Sequence, residues 1–120
     1  MVLHESMEMY LETILMLSKE LTHVRAIDIV KKMEFSKPTV SIALKKLKES
    51  DYVNIDNNNY IHLTDKGLEV AKDILEKHEV LTAFLMKIGV SQENATKDAC
   101  KIEHDITNET FTCIKEFLKK

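Results

Sequence analysis

Between Ala26 and Leu63 the hydrophobic period changes twice, and this change constrains the architecture more than any other feature of the chain. Residues 26–33, AIDIVKKM, place apolar side chains at helical spacing before EFSK breaks the pattern. The next run, PTVSIALKKLKES, returns to that spacing with Val40, Leu44 and Leu47 on one side. Ser36 is placed to cap this helix. Pro38 falls in its first turn, where N–H groups have no helical acceptor and a missing one costs nothing. The period then drops to two. Tyr52–Ile55 and Tyr60–Leu63 alternate apolar and polar residues around DNNN, a run of turn-forming side chains. The segment reads helix, turn, helix, β-hairpin. One Pro and two Gly in 120 residues leave few helix breakers elsewhere, so a mainly α fold is expected.

The same periodicity predicts four further helices. A first runs from about Glu5 to Leu21, with Met9, Leu11, Ile14, Leu15, Leu17 and Leu21 at helical spacing. Thr64 and Asp65 open a long one that reaches about Ile88 and stops at Gly89, the residue suited to a left-handed cap. Another begins at Ser91 and ends near Ile106, and a last is capped by Thr107 or Asn108. That last helix carries Phe111, Ile114, Phe117 and Leu118 on one side, a stripe that a small lobe hardly covers alone. A second copy of the chain is its expected cover, so a homodimer is predicted. The division expected is a winged-helix lobe at residues 1–72 and a helical metal-binding and dimerisation lobe at 73–120. With 44% hydrophobic residues, the chain can bury a modest core.

The start, MVLHESMEMY, lacks the basic opening and long apolar run of a signal peptide, and no later run approaches the ~20 apolar residues of a membrane span. A cytoplasmic protein without membrane contact is expected. Two cysteines, Cys100 and Cys113, are too few for a disulfide scaffold and suit a reducing compartment.

The formal charge of −3 hides an uneven distribution: from Val24 to Lys48 stand seven basic residues and two acidic ones. A basic patch on an acidic body can hold phosphates without binding every polyanion. Helix-turn-helix plus hairpin is the winged-helix arrangement, whose second helix enters the major groove of double-stranded DNA while the wing follows the backbone. The candidate contacts are Ser36, Lys37, Pro38, Thr39, Ser41, Ile42, Lys45 and Lys46 on the recognition helix, with Arg25 before the pair and Asn58 at the wing tip. Read without a groove, the same charges are only a solvated face.

Cys100, Glu103 and His104 lie in DACKIEH at i, i+3, i+4, which on a helix places a thiol, a carboxylate and an imidazole on one face. Borderline divalent metals accept these donors together. One helix supplies part of a shell, and Met9, Glu12 and His78 are the candidates to complete it. The competing readings are a structural Cys100 or one that senses oxidants, in a winged-helix regulator with no metal response. A metalloenzyme is disfavoured because no separate general base or glycine-rich loop accompanies the trio.

On these residues the chain resembles the diphtheria-toxin-repressor (DtxR/MntR-type) family of metal-dependent transcriptional repressors, in a short form without a third domain. The pieces that carry the likeness are EMYLETI, SKPTVSIALKKLKE, IHLTDKG, KHEVLTAFL and DACKIEH. The resemblance implies a homodimer that binds a palindromic operator when loaded with Fe²⁺ or Mn²⁺ and so controls metal homeostasis, with Co²⁺, Ni²⁺ or Zn²⁺ as substitutes. Iron-type members use a Met, Cys, Glu and His at the positions of Met9, Cys100, Glu103 and His104. Manganese-type members put Asp and Glu at the positions of Met9 and Cys100 and add the residues at Glu12 and His78. The ancillary site of iron-type members needs a Glu and a His where this chain has Thr82 and Thr96. Some also place Gln where Ile42 stands.

Overall fold

The computed structural model describes residues 5–120: six helices and one two-stranded antiparallel sheet. The elements are α1 (Glu5–Glu20), α2 (Ala26–Met33), α3 (Lys37–Glu49), β1 (Val53–Ile55), β2 (Ile61–Leu63), α4 (Asp65–Lys87), α5 (Gln92–Ile102) and α6 (Asn108–Leu118). They form two compact units, the first ending at Lys72 and the second spanning Asp73–Lys120, so the long α4 belongs to both.

In the first unit α1 buries Leu11, Ile14 and Leu15, one turn apart, and packs on α2, α3 and β2. Glu5 and Glu8 in its first turn and Lys19 in its last complement the helix dipole. Helix α2 buries Ile29 and stops where Glu34 turns left-handed (φ 58°), its N–H on the Val30 carbonyl at 2.9 Å. Helix α3 starts as its sequence predicts: Ser36 Oγ accepts from Thr39 N at 3.3 Å, with Pro38 in the first turn. Val40, Ala43, Leu44 and Leu47 are its buried face.

The hairpin pairs Val53 with Leu63, Asn54 with His62 and Ile55 with Ile61. Its strands are one residue shorter than the alternation suggests, because Tyr52 and Tyr60 are occupied at the two ends of the ladder. Tyr52 N donates to the Leu47 carbonyl at 2.9 Å, and its own carbonyl accepts from Thr64 N at 3.1 Å. At the tip, Asn59 N closes on the Asp56 carbonyl at 3.0 Å, and Asn59 takes the left-handed conformation (φ 63°) that hairpin twist requires. Asp56 organises this tip. Its Oδ1 accepts from Asn58 N (2.8 Å) and Tyr60 N (3.0 Å), and its Oδ2 lies 2.8 Å from His62 Nε2. The His62 contact, more than these amides, pushes the Asp56 pKa down.

Helix α4 is capped at both ends. Thr64 Oγ1 accepts from Gly67 N at 3.0 Å. At the far end Gly89 (φ 108°) makes a Schellman closure, with Gly89 N on Met86 O (3.1 Å) and Val90 N on Leu85 O (2.9 Å). In the second unit Ser91 caps α5 and Thr107 caps α6. Helix α5 ends at Ile102 rather than near Ile106, and the Ile102 carbonyl is shared by Asp105 N and Ile106 N, both at 3.0 Å, in the mixed i→i+3 and i→i+4 pattern common at helix ends. The apolar stripe of α6 is covered unevenly. Phe111 is buried and Phe117 meets the Phe84 ring edge-on at 6.0 Å, yet Phe117 stays 50% exposed.

Gly67 has a reason of its own, independent of backbone freedom. A Cβ there would collide with the Tyr52 carbonyl oxygen, which is held by Thr64 N and has no room to retreat. Gly67→Ala should therefore destabilise the chain by about 3 kcal/mol, seen as a lower urea midpoint at unchanged slope.

Candidate metal centre and nucleic-acid interface

The second unit brings three of the candidate ligands together. Ala95 and Ala99 are the fully buried residues of α5. Glu103 follows as the C-cap, its N–H on the Ala99 carbonyl at 2.9 Å, and is only 1% exposed. His78, from α4, lies with Nδ1 2.9 Å from Glu103 Oε2, and His104 Nε2 lies 3.3 Å from Glu103 Oε1. A carboxylate is thus bracketed by two imidazoles. Both the Glu103 and His104 side chains are fully buried, whereas His78 keeps 23% exposure. Glu103 and His104 stand in the turn after α5 rather than on the helix itself. Helical φ/ψ at Glu103 nevertheless preserve the spacing to Cys100, a half-buried residue of the last α5 turn.

Burying an ionised carboxylate costs several kcal/mol unless its oxygens are matched. Oε2 is matched by His78, while Oε1 accepts no hydrogen bond among the described residues. An oxygen so placed, next to a buried imidazole and one turn from a thiol, fits a divalent transition metal by donor chemistry. Thr82 and Thr96 turn their hydroxyls back onto the His78 and Gln92 carbonyls of their own helices, at 2.7 and 2.9 Å. Met9 and Glu12 lie in the first unit on α1, Met9 half-buried and Glu12 7% exposed.

The candidate DNA contacts are all exposed residues of the first unit. Ser36, Lys37, Pro38, Thr39, Ser41, Ile42, Lys45 and Lys46 are all exposed, Ile42 by 59%. Ser36 is partly committed: its hydroxyl caps α3 and lies 2.8 Å from Thr39 Oγ1. Arg25 and Asn58 are exposed as well. Arg25, Ser41, Lys45, Lys48 and Asn59 line a cleft of about 540 Å³ that also reaches Ile55 and Ile61. Periodicity alone does not single out His23 and Tyr60, which stand next to this cleft's Arg25. Their association depends on the pairing of segments far apart in sequence.

Two family models match, both described as iron dependent repressor. The N-terminal DNA-binding domain covers residues 2–61, and the metal-binding and dimerisation domain covers residues 64–120. An uncharacterised HTH-type transcriptional regulator of Methanocaldococcus jannaschii is 35% identical over 97% of this chain and 94% of its own length. The chain belongs to the DtxR/MntR family. The HTH-type transcriptional regulator MntR of Shouchella clausii is 37% identical over 85% of this chain and 71% of its own. The solved structure of the manganese regulator SloR superposes with a TM-score of 0.84 at 30% identity, covering 94% of this chain. This chain spans about half of that structure, 53%. Family members are transcriptional regulators, and the winged helix with its helical second unit is the fold they share. Among the described residues no helix is long and apolar enough to cross a membrane.

Lysines that touch only phosphates release counterions without reading bases. Lys45→Ala and Lys46→Ala should each weaken binding to every duplex and reduce the log–log salt slope by about one. Thr39→Ala should shift preference among operator variants at nearly constant slope. Fluorescence anisotropy over a salt series separates the two, and a uniform loss for Thr39→Ala would make it a positioning residue only.

Proposed function

We propose that this chain is a metal-dependent (Fe²⁺ or Mn²⁺) transcriptional repressor that binds a palindromic operator as a homodimer and controls metal-ion homeostasis. The observation that carries the reading is the buried Glu103 carboxylate, one oxygen on His78 and the other next to His104 with no hydrogen bond among the described residues. Met9, Cys100, Glu103 and His104 would hold the ion, as in the iron-type pattern, with Glu12 and His78 as neighbours that orient these ligands or provide a second position. When bound, the ion would supply the positive charge that matches the buried Glu103 carboxylate. His78, hydrogen-bonded through Nδ1, restrains the Glu103 carboxylate. On the DNA side, the exposed face of α3 presents Thr39, Ser41 and Ile42 to base edges, with Lys45 and Lys46 for phosphates. Ile42 offers a thymine methyl a packing surface but no hydrogen bond, so operator choice is set differently from members with Gln there.

The second unit also supports a dimer. Leu81, Phe84, Leu85, Ile102, Ile106 and Ile114 line an open, mainly apolar cleft of about 460 Å³, and Phe117, Met86 and Ile88 remain exposed nearby in sequence. A second copy covering this face would bury what a monomer leaves to water.

Metal that binds only the folded state raises its stability, by about 2.7 kcal/mol at a hundredfold excess over Kd. Adding Co²⁺ or Mn²⁺ should raise the melting temperature of the native chain, and His104→Ala or Cys100→Ala should remove that rise while leaving the metal-free chain folded. A full metal response in either variant removes that residue from the site.

Met9 and Cys100 supply softer sulfur donors than the carboxylates of manganese-type members, so Fe²⁺ should activate operator binding at lower free concentration than Mn²⁺. Met9→Asp with Cys100→Glu should reverse that order. Anaerobic titrations at matched free metal test this, and activation of the native chain by Mn²⁺ at the lower concentration would refute softness as the basis of selectivity.

A further inference from the structure

The wing is joined to the segment before α2 by a stack of three side chains. Ile61 N donates to the Val24 carbonyl at 2.7 Å, laying residues 23–25 beside β2. His23 then stacks on the Tyr60 ring, centroids 4.0 Å apart and planes 2° from parallel. Arg25 Nη2 donates to Tyr60 Oη at 3.1 Å, with the guanidinium carbon 5.0 Å from the ring centroid. Tyr60 is itself anchored through its backbone, its N–H on Asp56 Oδ1 and its carbonyl accepting from Asp56 N, both at 3.0 Å. A long, exposed Arg side chain would otherwise sample many rotamers. Here one of its five N–H donors is held, and the rest stay available along the cleft that Arg25 shares with Lys45 and Lys48.

We propose that Tyr60, braced by His23, is a positioning residue that fixes the Arg25 guanidinium in the cleft between recognition helix and wing, where it takes a phosphate of the DNA backbone. The proposal rests on the reading of the chain as a DNA-binding repressor. Tyr60 acts through Arg25: its phenol oxygen is an acceptor toward Arg25, and its ring is covered by His23. A planar, pre-oriented guanidinium loses less freedom on meeting two phosphate oxygens, so the gain appears in affinity for any sequence.

The test uses the full chain with Mn²⁺ and a mixed-sequence DNA duplex, since phosphate contacts are indifferent to sequence. Arg25→Ala should reduce the salt slope by about one. Tyr60→Phe, which keeps the ring and the stack, should weaken binding about five-fold, the effect of one hydrogen bond, and should have no further effect in the Arg25→Ala background. His23→Phe should restore what His23→Ala loses, and thermal midpoints should stay together across the set. In the DNA-free protein, the Arg25 Nε–H NMR signal should report greater mobility after Tyr60→Phe. Equal losses from Tyr60→Phe in both backgrounds, or an unchanged Arg25 signal, overturn the positioning role while leaving Arg25 a phosphate contact. An Arg25→Ala variant with native affinity and slope overturns the contact, and the proposal with it. A native chain that binds no duplex when loaded with metal refutes the repressor reading itself.

Discussion

A carboxylate removed from water is the constraint around which the second unit is arranged. Glu103 is 1% exposed, and an ionised group so placed is tolerated only where its oxygens find partners. His78 supplies one from α4, which ties the middle of that helix to the turn after α5 across 25 residues of sequence. Ala95 and Ala99, earlier in α5, are fully buried as well. The remaining oxygen lies 3.3 Å from His104 Nε2 and accepts no hydrogen bond among the described residues. That arrangement is poor for a purely structural buried acid and good for a ligand to a divalent cation.

The first unit is organised by a different economy, in which backbone groups at the root of the wing are shared among three elements. The Tyr52 carbonyl accepts from Thr64, Tyr52 N reaches the end of α3, and Thr64 Oγ1 both caps α4 and donates to the Asp51 carbonyl at 2.7 Å. Lys66 adds a bond to the Ser50 carbonyl at 3.1 Å and lies 4.2 Å from the Tyr52 ring centroid. A wing held this firmly at its root presents its tip, Asn58 included, at a defined position relative to the recognition helix of the same unit. Shape of this kind determines which phosphates a winged helix reaches before any base is read.

Local signals in the chain account for most of the fold. Ser36, Pro38, Gly89 and Thr107 each mark a helix end through chemistry confined to a few residues, and the structure places those ends accordingly. The exposed and buried faces of α3 follow from its period in the same way. The end of α5 was less legible, because Ile102 and Ile106 continue a helical spacing through a turn that the backbone tightens. Glu103 and His104 consequently sit past the helix, although their spacing from Cys100 along the chain is that of one helical face.

What the sequence by itself determined is therefore the succession of elements and the donor types available, since caps, periods and residue identities are local properties. Tertiary structure alone decided which donors meet: that His78 Nδ1 faces Glu103, that Glu103 loses its water, and that Tyr60 receives Arg25 from 35 residues away. Those outcomes depend on how helices and strands distant in sequence pack. A hydrogen bond between side chains is sensitive to ångström-scale placement, which no periodicity specifies.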